Sequence, residues 1–105
     1  MTTKIIFCGC TDAGLDVLNF LIAKKFKISH IVSLNPDQAS QYNVSGYVSF
    51  SDIAKKNDIP IYFPKEYSLK NSQDLDFFEK NNFDILLIGG WQRLIPEKIL
   101  ALEDT

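Results

Sequence analysis

The chain has 105 residues, of which 46% are hydrophobic, 12% aromatic and 23% charged, and its formal net charge is −2. These values describe one small globular domain with a modest core and exclude an intrinsically disordered chain. Asp and Glu outnumber Lys and Arg, so no basic surface of the kind that drives nucleic-acid binding is expected, and Lys24-Lys25 and Lys55-Lys56 read as solvated helix faces.

The opening, Met1-Thr2-Thr3-Lys4, carries no basic segment followed by a long apolar run, so it does not read as a signal peptide. No stretch approaches the roughly 20 apolar residues that span a bilayer. Continuously apolar Ile5-Ile6-Phe7-Cys8 predicts a strand covered on both faces. Cys8 and Cys10 fall on the same face and make a poor disulfide pair; with His30 they fall short of a zinc site. They are expected to be small buried thiols in a cytoplasmic protein.

Gly9-Cys10-Thr11-Asp12-Ala13-Gly14 reads as a turn, with Thr11 and Asp12 as candidate N-caps. Leu15, Leu18, Leu21, Ile22 and Phe26 then recur at helical spacing, which predicts an amphipathic helix over about residues 14–25. A second strand is expected over His30-Ile31-Val32-Ser33-Leu34, closed by Asn35-Pro36-Asp37. Residues 37–49 are polar and aperiodic and read as a loop. Ser51 is the expected cap of a short helix ending near Asn57-Asp58.

Pro60-Ile61-Tyr62-Phe63-Pro64 predicts a brief strand bracketed by prolines. Residues 65–72 read as a loop, and a helix from about Gln73 to Lys80 presents Leu75, Phe78 and Phe77. Asp84-Ile85-Leu86-Leu87-Ile88 reads as the fourth strand, and Pro96 suits the first residue of a last helix carrying Ile99, Leu100 and Leu102. Strands alternating with helices predict an α/β fold: a Rossmann-like open parallel sheet in the order 3-2-1-4, with helices on both faces. The fourth strand would lie at an edge, with neither charge nor proline among its four aliphatics to blunt it. Residues 1–105 therefore read as an incomplete domain, with self-association through the exposed edge of the fourth strand as a further expectation.

Ligands of such sheets bind beyond the carboxyl ends of the strands, near the switch point between strands 1 and 4. Gly9 to Gly14 lies there but is not a dinucleotide fingerprint, a Walker A loop or an acidic receiver site. Its backbone N–H groups suit an anion, or its glycines serve only the turn. Gly89-Gly90-Trp91-Gln92-Arg93-Leu94-Ile95-Pro96 is less ordinary. Two glycines permit close backbone approach, and an exposed Trp and Arg on a loop suit recognition of a flat ring. Otherwise Trp91 caps the core and Arg93 is solvated.

Two stretches resemble the folate-dependent formyltransferases: Phe7 to Gly14 followed by Val17-Leu18, and Asp84 through Pro96. The first is similar to the opening of methionyl-tRNA and sugar-nucleotide formyltransferases, and the second also to the pterin-site loop of glycinamide ribonucleotide formyltransferase. Val44-Ser45-Gly46-Tyr47 resembles a sugar formyltransferase subgroup. The resemblance implies transfer of a formyl group from 10-formyltetrahydrofolate to a primary amine. Gly90, Trp91, Arg93, Leu94 and Ile95 match the folate side, and Gly9, Cys10, Thr11 and Asp12 the amine-substrate side. The family's Asn-x-His motif and later aspartate, which promote amine attack and stabilise the oxyanion, have no match here. No catalytic residue or metal ligand is therefore assigned, and His30 reads as structural or exposed. A small-molecule folate and an amine substrate are the expected partners, the amine being that of a nucleotide-linked sugar ahead of methionyl-tRNA. The alternative is a non-catalytic nucleotide-binding or interaction α/β module.

Overall fold

A computed structural model describes residues 3–91 and 95–101. The elements in chain order are β1 (Ile5–Cys8), α1 (Asp12–Ala23), β2 (Ile28–Val32), α2 (Pro36–Gln41), α3 (Ser51–Lys56), β3 (Ile61–Tyr62), α4 (Ser72–Lys80), β4 (Ile85–Ile88) and α5 (Glu97–Leu100). The strands form one parallel sheet in the order β3-β2-β1-β4, as the sequence pattern requires. β1 pairs with β4 from Ile5↔Ile85 to Cys8↔Ile88, and with β2 on its other side.

Alternation along β1 divides the core into two layers. Ile5 and Phe7 pack with Leu18, Ile28, Ile31, Phe50 and Ala54 under α1 and α3. Ile6 and Cys8 pack with Val32, Tyr67, Phe78, Trp91 and Ile99 under α4 and α5. A strand buried on both faces shows no polar interruption, which is why β1 is legible as a continuous apolar run. β4 carries the same kind of run but stands at the sheet's edge: Leu86 is buried, whereas Ile85 and Ile88 are 38% and 47% exposed.

The polar stretch expected to be a loop contains α2. Asn35 accepts from the Gln38 backbone N–H at 2.8 Å, while the Asn35 N–H donates to Gln38 Oε1 at 3.1 Å, with Pro36 opening the helix. This capping box satisfies end groups that would otherwise be unpaired. Only Ala39 of α2 is buried, so there was no apolar period to read. α1 begins at Asp12, two residues earlier than its apolar pattern, with Thr11 in the cap position. It ends at Ala23; Lys25 turns at φ 68° and Phe26 is left 52% exposed rather than on the helix stripe. β2 also starts two residues early, at Ile28, which pairs with Ile5. Ser51 is the first residue of α3 and not its cap; buried Phe50 occupies that position, and the Ser51 N–H donates to Ser49 Oγ at 3.2 Å.

The one fully buried acid of α4, Asp74, joins three segments. Its carboxyl accepts from Tyr62 Oη at 2.6 Å, the Lys65 N–H at 2.8 Å and the Glu66 N–H at 3.1 Å. Burial first, and then Asp74, hold the Tyr62 phenol well above its ordinary value. The group anchors the end of β3 and the following loop to the start of α4. Asp74→Ala would strand all three donors, so we expect a loss of about 3 kcal/mol in urea unfolding, whereas an unchanged midpoint would remove this anchor from the account.

Candidate functional site

The turns after β1 and β4 meet at the carboxyl end of the sheet, through backbone rather than side chains. A Cβ on Gly14 would lie 2.0 Å from the Gly89 carbonyl oxygen, and one on Gly9 would lie 2.2 Å from the same atom. The Gly89 N–H donates to Cys8 O at 2.9 Å and the Cys10 N–H to Gly90 O at 3.3 Å. Gly90 sits at φ +76°, in the left-handed region, and its position is filled by Thr11 Oγ1. Gly9, Gly14, Gly89 and Gly90 thus form one lock in which each turn occupies the space that the other's side chains would need.

A third segment covers the first turn. Thr11 bridges Tyr47 in antiparallel fashion, with the Asp12 N–H donating to Gly46 O and the Val48 N–H to Cys10 O, each at 3.1 Å. Tyr47 Oη donates to Leu34 O at 2.8 Å, tying this strap to the end of β2. Asp12 Oδ1 accepts the Ala13 N–H at 2.8 Å. The N–H groups of Asp12 and Ala13 are therefore already engaged, and the opening of α1 is not the free anion cradle that its glycines suggest.

Beneath both turns lies a buried cluster. The Cys10 thiol donates to Gly90 O at 3.4 Å, and Tyr67 Oη lies 3.6 Å from Cys10 Sγ. Tyr67 meets Trp91 edge-on at 4.8 Å and Tyr42 at 5.5 Å. Burial raises the Cys10 thiol above its ordinary value against the lowering effect of Tyr67, and burial raises Cys8 further; neither is an activated nucleophile. Both cysteines are free.

The residues expected on the substrate side, Gly9, Cys10, Thr11 and Asp12, lie together in the first turn. Cys10 and Thr11 are buried, and Asp12 is exposed. On the other side Gly90 adjoins them, and Ile95 is half-buried against the same core. Arg93 and Leu94 lie outside the described residues. Trp91 corrects the expectation of an exposed ring: only 8% of it is accessible, because its indole fills the layer beside Tyr67. Among the described residues its buried Nε1 has no hydrogen-bond partner, nor does Ser33 Oγ. Sequence reasoning missed Tyr67 and the strap at 46–48, whose partners are distant in sequence.

His30 is half-buried, with Nδ1 3.2 Å from Ser29 Oγ and its ring edge-on to Phe77; burial, then Lys4, lower its pKa. A hollow of about 510 Å³ lies between α1 and α3, lined by Leu15, Ile22, Asp52 and Lys56 among others and by no residue of either turn. Among the described residues no three acids, thiols or imidazoles are grouped to hold a metal, and no helix is long and apolar enough to cross a membrane.

No family model matches the chain. The chain is 33% identical over 101 residues to methionyl-tRNA formyltransferases of Staphylococcus aureus, strains Newman and JH1 among them, covering 95% of this chain and 31% of theirs. Solved chains share its fold. A phosphoribosylglycinamide formyltransferase from Anaplasma phagocytophilum superposes with a TM-score of 0.62 at 17% identity, over 96% of this chain and 45% of that one. One from Coxiella burnetii gives 0.59 at 13%, over 96% and 47%. The chain is similar to members of the formyltransferase family. It matches the N-terminal part of that family and spans less than a third of the length of the curated relatives.

Within this formyltransferase-family fold, the glycine lock carries an unusual sign. Helix propensity alone favours Ala over Gly at position 14 by about 1 kcal/mol. The contact with Gly89 O opposes it, and two backbones cannot give way as a flexible side chain can. Gly14→Ala is therefore expected to destabilise by on the order of 3 kcal/mol in thermal or urea unfolding. A more stable variant would show that the two turns stand apart.

Proposed function

We propose that the chain supplies the folate-loop side of a formyl transfer from 10-formyltetrahydrofolate to a primary amine. The observation that carries this reading is the 33% identity to methionyl-tRNA formyltransferases over 95% of the chain. The locked turns support it, because they bring the folate-side and amine-side segments of the family pattern together at the switch point of the sheet.

10-Formyltetrahydrofolate supplies the formyl carbon. Gly90 turns the chain out of β4, and Arg93, Leu94 and Ile95 cradle the pterin ring, largely through backbone groups. Trp91 contributes as a buried core residue next to that segment in sequence. On the amine side Asp12 is the exposed polar member, set in place by the buried Gly9, Cys10 and Thr11. Of the two expected amines, methionyl-tRNA is favoured over a nucleotide-linked amino sugar, since the relatives at 33% identity carry that name. Formyl transfer in the family also uses an Asn-x-His motif and a later aspartate. The present sequence contains no Asn-x-His, so the chain by itself is expected to bind rather than to turn over.

The test is calorimetric titration with a stable reduced-folate analogue. Binding is expected to be weak and to fall by on the order of tenfold when Arg93 and Leu94 are both replaced by Gly, the loss of about 1.4 kcal/mol of contact. Equal affinity of the two proteins would overturn the pterin-loop assignment.

A second reading concerns a second copy of the chain. Ile85 and Ile88 are exposed on the outer strand. On α1, Val17 and Phe20 are exposed on the side away from the α3 hollow. An edge strand with exposed apolar side chains offers its unpaired backbone to a second chain. Sedimentation is expected to give a concentration-dependent dimer that Ile85→Lys and Ile88→Lys return to monomer. A monomer at every concentration would end this reading.

A further inference from the structure

The opposite end of the sheet holds a feature that the formyltransferase reading does not use. A hollow of about 330 Å³ opens where β1, β2 and β4 begin, lined by Thr3, Lys4, Lys27, Ser29, Asn82 and Asp84. Two hydrogen bonds tie its walls together. The Lys4 N–H donates to Asp84 Oδ2 at 2.8 Å, and Ser29 Oγ donates to Ile5 O at 3.0 Å. Among the described residues the ion pair is Asp76–Lys80, and neither Lys4 nor Lys27 enters one even though Asp84 lines the same wall.

The other lysines near the strand starts line no part of this hollow. Crossover helices run antiparallel to the strands, so their carboxyl ends arrive where strands begin. Lys24 and Lys25 follow α1, Lys55 and Lys56 end α3, and Lys80 ends α4. The lysines of α3 and α4 are accounted for by the helix dipole, which favours cations in a last turn. Lys4 and Lys27 belong to no helix, and dipole complementation does not explain their convergence on one hollow.

We infer that this hollow is an anion site for a phosphate-bearing ligand, with Lys4 and Lys27 as its paired charges and Thr3 and Asn82 as neutral donors. Its volume suits a phosphate together with its sugar, at the small end of the range for ligand pockets. It lies at the opposite end of the strands from the two turns, so its occupant is distinct from anything bound there. The chain's net charge of −2 conceals this pair, because the fold brings Lys4 and Lys27 to one hollow.

The experiment is an amide NMR titration of the chain with inorganic phosphate, a 5′-mononucleotide and a short single-stranded oligoribonucleotide, run in parallel. Saturable shifts at Ser29, His30 and Asp84, weakened about fivefold in Lys27→Gln and in Lys4→Gln, are the expected result. Lys56→Gln, outside the hollow, should leave them unchanged. Tighter binding of the oligonucleotide with a steep salt dependence would identify a nucleic-acid backbone as the source of the phosphate. Equal binding by phosphate and oligonucleotide would identify a free phosphate, and both results support the site. Shifts that never saturate, or that persist undiminished in both lysine variants, would overturn it.

Discussion

The arrangement at the carboxyl end of the sheet depends on one contact, the seating of the Gly89 carbonyl between Gly9 and Gly14. β1 and β4 pair in parallel over four residues, and a parallel pair separates again unless something holds its exits together. Here the exits are held because neither turn carries a Cβ where they cross. With the turns closed, Thr11 can fill the position beside Gly90, the Cys10 N–H can reach Gly90 O, and the strap at 46–48 can lie across the outside. The three arrangements follow from the absence of side chains at those glycines.

That contact also joins the site to the core. Directly after it the chain places Trp91 into the layer shared by Cys10 and Tyr67, so the loop expected to hold folate begins from a packed indole. Tyr67 comes from a turn-rich segment that Asp74 fixes to α4 through Lys65 and Glu66. Two distant anchors, a buried carboxyl and a backbone lock, therefore set the position of one aromatic pair. The thiol between them is held protonated by burial, which makes Cys10 a packing and hydrogen-bonding residue rather than a reactive one.

Much of the fold was legible in the sequence, because strands buried on both faces leave unbroken apolar runs and covering helices leave a period of 3.6. β1, β4 and the order of the sheet follow from such runs. α2 was not legible: it rests on the Asn35–Gln38 capping box and buries only Ala39, so its signal is polar and local. The limits of α1 and β2 shifted because pairing and capping set boundaries, whereas apolar periodicity reports only the buried middle. The two turns of the site were identifiable from their glycines, yet the reason for those glycines was not. It lies in contacts across about 80 positions of sequence. Trp91 shows the same limit: its presence in a turn marks the segment as special, but whether the ring faces solvent or core is decided by Tyr67, which no local pattern connects to it.

Trp91 is also the chain's single tryptophan. Its indole is sealed in an apolar layer, edge-on to Tyr67, and among the described residues its N–H has no partner. Indole emission follows the polarity around the ring, so the fluorescence of this protein comes from one defined place, the root of the loop after β4. No label has to be introduced to observe that place, and no second tryptophan obscures it. Whatever loosens the packing of Trp91 against Tyr67 changes the colour of the light it emits, and this layer carries its own optical gauge.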